Sequence, residues 1–256
     1  MVKLFFAGGE NKGHLKYINK LNIKYTLMSY HGLKNREIPK TNSEIFLDSG
    51  AYSAYASGKH IDLLEYIKFI KRNKDKVRFY ANLDVIGIGN AKKTLRNQRI
   101  MEEAGLNPLP VYHYHEYISK DYKYLIEDFC KKYSYVALGG MANTLKDKKE
   151  FIRYLKFCFG YAKKYNTKIH AFGMTSLPIL KMFPFYSVDS SSWIAGEKFG
   201  TFNLFNGKGM KMFSKNLFKL KFKKSFDNFS YEDLKEWNTN QWKKYADYLE
   251  ERKWNT

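Results

Sequence analysis

The chain has 256 residues, of which 44% are hydrophobic and 18% aromatic, enough apolar material for one large core. It contains no uncharged apolar run of about eighteen residues and no signal peptide, so we expect a soluble protein of the cytoplasm. Lysine and arginine outnumber aspartate and glutamate by 45 to 25, and the net charge of +20 favours a nucleic-acid partner over compositional bias alone.

Short apolar strands alternate with amphipathic helices along the chain. The predicted strands are 3–7, 24–29, 45–47, 78–84, 109–115, 135–140, 168–173 and 186–188. The predicted helices are 11–20, 62–71, 91–104, 122–133, 151–164, 177–182 and 241–253. In the helix over 62–71, Tyr66, Ile67 and Ile70 share one face, opposite the lysines. This alternation predicts an α/β fold, a TIM-like (β/α)₈ barrel, with an open doubly wound sheet as the alternative.

The two cysteines, Cys130 and Cys158, both fall within helical patterns. No Cys-x-x-Cys pair or Cys/His cluster accompanies them, so we predict buried thiols and no structural zinc. The glycines at positions 87 and 89 are too few to indicate a dinucleotide-binding turn. We therefore predict neither a metal nor a cofactor.

The composition changes at Gly207, where lysines begin to alternate with phenylalanines. The lysines that we expect to contact nucleic acid are Lys208, Lys211, Lys219, Lys221, Lys223 and Lys224. Ser230 and Asp233 resemble a capping box in which aspartate takes the acidic place. We predict a barrel domain over 1–206 and a basic, helical extension over 207–256 that packs on it.

The phenylalanines of this basic segment allow two interpretations. Phe218 and Phe222 would stack on unpaired bases while the lysines neutralise phosphates. Alternatively, both rings pack on the barrel and the lysines form a solvated helix face.

Acidic residues collect where the predicted strands end. Asp48 follows the third strand, Asp84 ends the fourth and Asp189 follows the eighth. The carboxyl ends of barrel strands form the active-site face, so the acids are expected to share one site. The alternative is that each acid caps the next helix or turn.

Four short motifs on the strand ends carry a resemblance to a known family. They are Asp48-Ser-Gly50, Leu138-Gly-Gly140, Phe172-Gly-Met174 and Val188-Asp189. Their order and spacing, between about residues 45 and 193, resemble those of the tRNA-guanine transglycosylases, and most of all the compact phage-type enzymes that act on DNA. The resemblance implies a TIM barrel that exchanges a guanine in a polynucleotide for a free 7-deazaguanine base through a covalent glycosyl-enzyme intermediate.

The resemblance also implies a role for individual residues. Asp189 would be the nucleophile that attacks the sugar C1′, and Asp48 the general acid and base that carries protons to and from the exchanging bases. Asp84 would read the donor edge of the purine, and the amides of Gly139 and Gly140 would hold its carbonyl oxygen. The full set of substrate-binding residues would be Ser49, Asp84, His113, Gly139, Gly140, Gly173 and Met174.

Two features depart from the family. The family commonly has a glutamine where this chain has the Tyr-His-Tyr-His run at 112–115, and its Cys-x-Cys-x-x-Cys…His zinc subdomain is absent. These departures favour DNA over tRNA as the substrate, with the basic segment in place of the zinc subdomain.

Two interpretations from other classes remain. His113, His115, His170 and Asp189 are side chains that a metal-dependent barrel hydrolase would use, although such enzymes carry His-x-His on the first strand. The other interpretation is a barrel that binds nucleic acid without catalysis.

Overall fold

A computed structural model describes residues 1–33, 36–140, 147–222 and 230–252. Eight strands form one parallel, curled sheet in the order β4-β3-β2-β1-β8-β7-β6-β5. Their bounds are β1 Lys3–Ala7, β2 Tyr25–Ser29, β3 Glu44–Asp48, β4 Phe79–Tyr80, β5 Val111–His113, β6 Tyr135–Gly139, β7 Lys168–Ala171 and β8 Ser187–Ser190. The predicted α/β class and the alternation of strands with helices are therefore confirmed.

Helices connect the parallel strands and cover the sheet. Their bounds are α1 Lys12–Lys20, α2 Tyr30–Leu33, α3 Ala51–Ala56, α4 Leu63–Arg72, α5 Ala91–Glu103, α6 Tyr114–Tyr117, α7 Leu125–Lys132, α8 Lys148–Lys164, α9 Leu177–Met182, α10 Ser192–Phe199, α11 Lys215–Phe222 and α12 Tyr231–Glu251. Side-chain caps start several of them, since Asn11, Asp62 and Asp147 accept backbone N–H groups of the first turn. The covering helices begin where short polar residues satisfy otherwise unpaired donors.

The two ends of the strand order approach each other. Ala81, directly after β4, and Leu109, two residues before β5, form an isolated parallel bridge. Leu109 N–H donates to the Tyr80 carbonyl at 2.8 Å, and Asn82 N–H donates to the Leu109 carbonyl at 2.9 Å.

Apolar side chains form two main layers on opposite faces of this sheet. The inner cluster contains residues on or next to strands β1 to β6 and is made of Phe5, Leu27, Phe46, Ala81, Leu109, Val111, Tyr135 and Ala137. A larger outer cluster lies between the strands and the helices, with Ile18, Ile70 and Leu155 among its fully buried members. Alternate side chains of a strand thus point into the inner and the outer cluster, because successive residues of a strand face opposite sides of the sheet.

The fourth strand is much shorter than the predicted range of 78–84. Only Phe79 and Tyr80 pair with β3. Past them, Ala81 N–H still donates to the Leu47 carbonyl of β3 at 2.9 Å. The Asn82 side-chain amide then donates to the Thr94 carbonyl of α5, and Val85 N–H donates to Thr94 Oγ1. Asp84 therefore lies on a loop past the strand rather than in it.

An antiparallel hairpin that the sequence did not predict follows α10. Its strands are β9, Thr201–Phe205, and β10, Met210–Ser214. The predicted domain division between residues 206 and 207 falls in the turn of this hairpin. The division stays a prediction.

The last helix, α12, begins ten residues before its predicted start at 241, whereas its predicted capping box of Ser230 and Asp233 is confirmed. Its buried face includes Asn238 and Gln241, whose polarity masks the helical period in the sequence. The Asn238 and Gln241 side-chain oxygens accept backbone N–H groups of β9. At the other end of the helix, Leu249 accepts the N–H of Val2 at 3.0 Å.

Cys130 and Cys158 are free and buried, as predicted. Burial raises the pKa of the Cys130 thiol to about 11, so this thiol is protonated at neutral pH. Among the described residues, no helix has the length and apolarity needed to span a bilayer.

Candidate active site at the carboxyl ends of the strands

Asp48 is the last residue of β3 and is half-buried. Its carboxylate accepts the backbone N–H of Gly50 at 3.0 Å. Gly50 has a φ of +76°, and a Cβ there would lie 2.3 Å from the Ser29 hydroxyl. Glycine is therefore required for the turn that presents an N–H to Asp48.

The electrostatic environment of Asp48 favours its protonated form. Burial and the nearby charge of Asp189 raise the pKa of Asp48 to about 7, with smaller contributions from Asp84 and Glu10. The Gly50 hydrogen bond opposes this shift. At neutral pH Asp48 can thus both give and accept a proton, as a general acid and base must.

Asp189 lies within β8 and is 7% exposed. Its Oδ1 accepts the backbone N–H of Gly173 at 3.0 Å and lies 3.4 Å from Nε2 of His170. Gly173 has a φ of +69°, which favours glycine at the turn after β7. The two contacts both fall on Oδ1, so this orientation leaves Oδ2 for a substrate.

Asp84 belongs to a second polar cluster at the same end of the sheet. Its Oδ2 lies 3.2 Å from Nε2 of His113, and Nδ1 of His113 lies 3.3 Å from Oε2 of Glu116. His115 Nε2 contacts the other Glu116 oxygen at 3.2 Å, and the two imidazoles stack. Oδ1 of Asp84 is buried and has no hydrogen-bond partner. A carboxylate oxygen is thus left for an N–H group from outside the protein.

The charges of this cluster are coupled. Burial disfavours the imidazolium of His113, yet Asp84 and Glu116 raise its pKa to about 10. Burial likewise opposes ionisation of Glu116, but the adjacent imidazoles of His113 and His115 lower its pKa to about 2. Burial raises the pKa of Asp84, and His113 counteracts it. His113 is therefore a cation held between two carboxylates, which orients Asp84.

Other residues predicted to bind substrate have mainly local contacts. The Ser49 hydroxyl is buried and accepts the N–H of Ala51 at 3.4 Å. Gly139 provides space for His113, because a Cβ there would lie 2.6 Å from the imidazole. Gly140 is exposed and has a φ of +69°, whereas the Met174 side chain is buried in the outer core.

The basic segment contains lysines with different environments. Lys208, Lys211 and Lys221 are exposed, whereas Lys219 is half-buried. Lys223 and Lys224 lie outside the described residues. The Nζ of Lys221 lies 5.1 Å from the centre of the Phe213 ring.

The expected stacking of Phe218 on unpaired bases is wrong. Phe218 is 1% exposed and stacks on Phe202 with a ring separation of 4.7 Å. The ring closes a small apolar cluster with Leu234 beneath the hairpin. The side chain of Phe222 lies outside the described residues.

The residues proposed for a metal hydrolase separate into two groups. Among the described residues, His113, His115 and Glu116 have possible ligand atoms within 4.8 Å of one another. His170 and Asp189 are not members of this group and instead contact each other.

Sequence reasoning missed Glu116, Ser187 and Tyr135. Glu116 follows His113 by three residues at the start of α6, a spacing that indicates a helix cap. Ser187 lies two residues before Asp189 and so shares its face of β8. The position of Tyr135 follows only from the register of neighbouring strands.

Comparison of the chain with protein-family models and with curated proteins finds no match. The interpretation of the site therefore depends on its geometry and on the motifs at the strand ends.

Proposed function

We propose that this protein is a base-exchange glycosyltransferase, which replaces a guanine in a polynucleotide with a 7-deazaguanine. The observation that carries the proposal is the pairing of two interacting aspartates in different environments. Asp48 has a pKa of about 7, which Asp189 helps to raise, and Asp189 is oriented by donors on one oxygen. Such a pair supplies a proton carrier and a nucleophile.

The reaction consists of two displacements at the sugar C1′. In the first, Oδ2 of Asp189 bonds to C1′ as the bond to guanine breaks, and protonated Asp48 gives its proton to the leaving base. In the second, Asp48 removes a proton from the incoming 7-deazaguanine, whose nitrogen bonds to C1′ as the bond to Asp189 breaks. Each cycle restores both carboxyl groups, so no further reactant is needed.

The purine would bind between the two polar clusters. The unpartnered Oδ1 of Asp84 suits the N–H groups of a guanine edge, because a buried acceptor without a donor is costly. His113 orients this carboxylate through its other oxygen. The backbone near Gly139 and Gly140 would supply N–H donors to the purine carbonyl.

We also infer that the sheet closes into a (β/α)₈ barrel. The bridge between Ala81 and Leu109 supports closure between β4 and β5. The inner cluster supports it as well, because Phe172 and Tyr186, which lie beside β7 and β8, pack against its members on or next to β1 to β6. Closure would bring the three acids to one face. The hairpin, α11 and α12 would then form the basic extension packed against the barrel.

DNA is the favoured polynucleotide, and the experiment is a direct comparison of substrates. Protein is incubated with DNA or tRNA and a free 7-deazaguanine, and the digested nucleosides are measured by mass spectrometry. Incorporation into DNA supports the proposal as stated, and incorporation only into tRNA assigns the same chemistry to the other substrate. Loss of guanine from neither substrate contradicts it.

The group of His113, His115 and Glu116 keeps a metal-dependent hydrolase as a second candidate. Purified protein is analysed for bound zinc and manganese, and exchange is measured with and without a chelator. Stoichiometric metal that is required for turnover would favour the hydrolase. Exchange that is insensitive to the chelator would favour the proposal.

The exposed lysines of the basic segment lead to a prediction about salt. Changing Lys208, Lys211 and Lys221 to Gln should weaken DNA binding uniformly across sequences, because phosphate contacts carry no sequence information. The slope of log affinity against log salt should fall by up to about one unit per lost contact. Binding isotherms at several salt concentrations measure both quantities.

A matched variant controls for net charge. Lys71, Lys74 and Lys76 are exposed near the start of β4, at the end of the sheet opposite the acids. Changing these three to Gln removes the same charge and should leave the salt slope closer to that of the parent. Equal slopes for the two variants would show that the basic segment is a solvated surface.

Exposed aromatic side chains lie on α3, the helix that follows Asp48 in the chain. Tyr52 and Tyr55 are 69% and 63% exposed, and Tyr55 lines a pocket of about 140 Å³ together with Lys59 and Asp84. Base stacking is worth about 1–3 kcal/mol per base, so Tyr55→Ala should weaken binding of single-stranded DNA at least about fivefold. Tyr55→Phe keeps the ring and should bind like the parent. Equal weakening by both variants would contradict stacking.

A further inference from the structure

A chain of buried polar side chains leads from inside the sheet to Asp189. Tyr135 lies on β6, His170 on β7, and Ser187 and Asp189 on β8. His170 and Ser187 are direct partners in the parallel register, and Ser187 shares a face with Asp189. The register of three strands therefore brings together polar groups from three separate parts of the sequence.

The contacts form a continuous series. The Tyr135 hydroxyl hydrogen-bonds to the Ser187 hydroxyl, and Ser187 Oγ lies 2.6 Å from Nδ1 of His170. On the other side of the ring, Nε2 lies 3.4 Å from Oδ1 of Asp189. This last contact lacks hydrogen-bond geometry, so Nε2 is a fully buried polar atom without a partner. A buried N–H in that state gains stability whenever the carboxylate moves closer.

The surroundings determine the protonation of the series. His170 is 0% exposed and packs among the rings of Phe5, Phe46 and Phe172. Burial lowers the pKa of His170 despite the proximity of Asp189, so the imidazole is neutral. Burial also raises the pKa of Tyr135, which keeps its proton.

A neutral imidazole carries one N–H, and the neighbouring groups decide which nitrogen has it. Nε2 faces a carboxylate, which only accepts, so the proton belongs on Nε2. Nδ1 then accepts the Ser187 O–H, and Ser187 Oγ accepts the Tyr135 O–H. The Tyr135 O–H thus donates to Ser187, the Ser187 O–H donates to His170, and the one N–H of His170 lies on the side of Asp189.

We propose that His170 is a positioning residue for the nucleophile, fixed in its Nε2–H tautomer by Ser187 and Tyr135. The inference rests on the proposed function of Asp189. The N–H of Gly173 holds Oδ1 at 3.0 Å, and the Nε2–H of His170, 3.4 Å from Oδ1, would hold the same oxygen once the carboxylate moves closer, which directs Oδ2 to C1′. Oδ1 becomes the carbonyl oxygen of the glycosyl ester, and the same donors stabilise the carboxylate when the ester breaks. His170 itself transfers no proton.

Two substitutions of similar size separate the two nitrogens of His170. His170→Gln can place an N–H near the position of Nε2, whereas His170→Asn can replace only Nδ1. Misplacement of a reacting group costs up to about 10²-fold, so we expect His170→Asn to lower kcat by about 10- to 100-fold with little change in KM. His170→Gln should recover much of that loss. Equal kcat values for the two variants, or parental kcat in His170→Asn, would overturn the proposal.

A second measurement tests the series without any exchange assay. In ¹⁵N-histidine-labelled protein, the His170 resonances should show a protonated Nε2 and an unprotonated Nδ1 between pH 5.5 and 8, a range chosen to span ordinary histidine titration. Ser187→Ala removes the hydroxyl that donates to Nδ1 of His170 and should therefore shift the Nδ1 resonance. An Nδ1–H tautomer or an imidazolium would overturn the proposal. If His170 shows the expected Nε2–H tautomer but the protein exchanges no base, the proposed function is refuted while the hydrogen-bond series stands.

Discussion

Asp189→Asn is expected to abolish base exchange, with a loss of about 10⁴-fold or more, because no other carboxylate can replace the nucleophile. The amide has nearly the same shape as the carboxylate, so the fold and the affinity for DNA should be retained. The hydrogen bond from Gly173 to Oδ1 can persist in the variant. Single-turnover exchange and DNA binding, measured on the same preparation, separate catalysis from binding.

The covalent intermediate gives a second readout for this substitution. Without an incoming base, the parent should accumulate a protein–DNA adduct that survives denaturation, and Asp189→Asn should form none. Ser190→Ala is a matched control, because Ser190 is the buried neighbour whose hydroxyl accepts the N–H of Ser192. An adduct in Asp189→Asn would assign the nucleophile to another residue. Loss of DNA binding in the same variant would indicate a structural role.

The positions of the acids follow from the sequence because strand ends can be recognised locally. Asp48 comes directly after three apolar residues and Asp189 directly after Val188, and parallel strands bring their carboxyl ends to one edge. The sequence also places Gly50 just past a strand, whereas it predicts Gly173 as the last residue of a strand and not in the turn that follows β7. The prediction of a shared edge needs only the direction of each strand.

The partners of these acids depend on register, which the sequence does not reveal. His170 contacts Ser187 because β7 and β8 pair at these residues, and a shift of one strand by one residue would put the two side chains on opposite faces of the sheet. His113 looks like a ligand or a base-binding group in the sequence. Its contacts with Asp84 and Glu116 instead depend on a loop that leaves the sheet after Asn82.

The C-terminal region shows a second reason why structure could not be predicted from the sequence. Periodicity is read from apolar residues, but the buried face of α12 includes Asn238 and Gln241, which bond to the backbone of β9. Phe218 looks suited to base stacking beside its lysines, yet it packs on Phe202. Composition cannot distinguish a ring that faces nucleic acid from a ring that completes a small core.

The second large effect is expected from Asp48→Asn, which removes the proton carrier and should lower exchange by roughly 10² to 10⁴-fold. The pH dependence is specific to this role. Burial and the charge of Asp189 raise the pKa of Asp48 to about 7, so the parent should form the covalent adduct more slowly as pH rises above about 7. Rates of adduct formation across pH, without incoming base, measure this first displacement alone.

The same raised pKa predicts a change in folding stability, which identifies Asp48 as the titrating group. The folded state holds the Asp48 proton up to about pH 7, whereas the unfolded state releases it near pH 4. Stability is therefore lost as pH rises through this window, because the folded state binds more protons there. Asp84, Asp189 and Glu10 also face Asp48 and remain in the variant. Urea unfolding should consequently show that the free energy of unfolding falls less between pH 4 and 7 in Asp48→Asn than in the parent. An equal fall in the two proteins would exclude Asp48 as the proton carrier with a raised pKa.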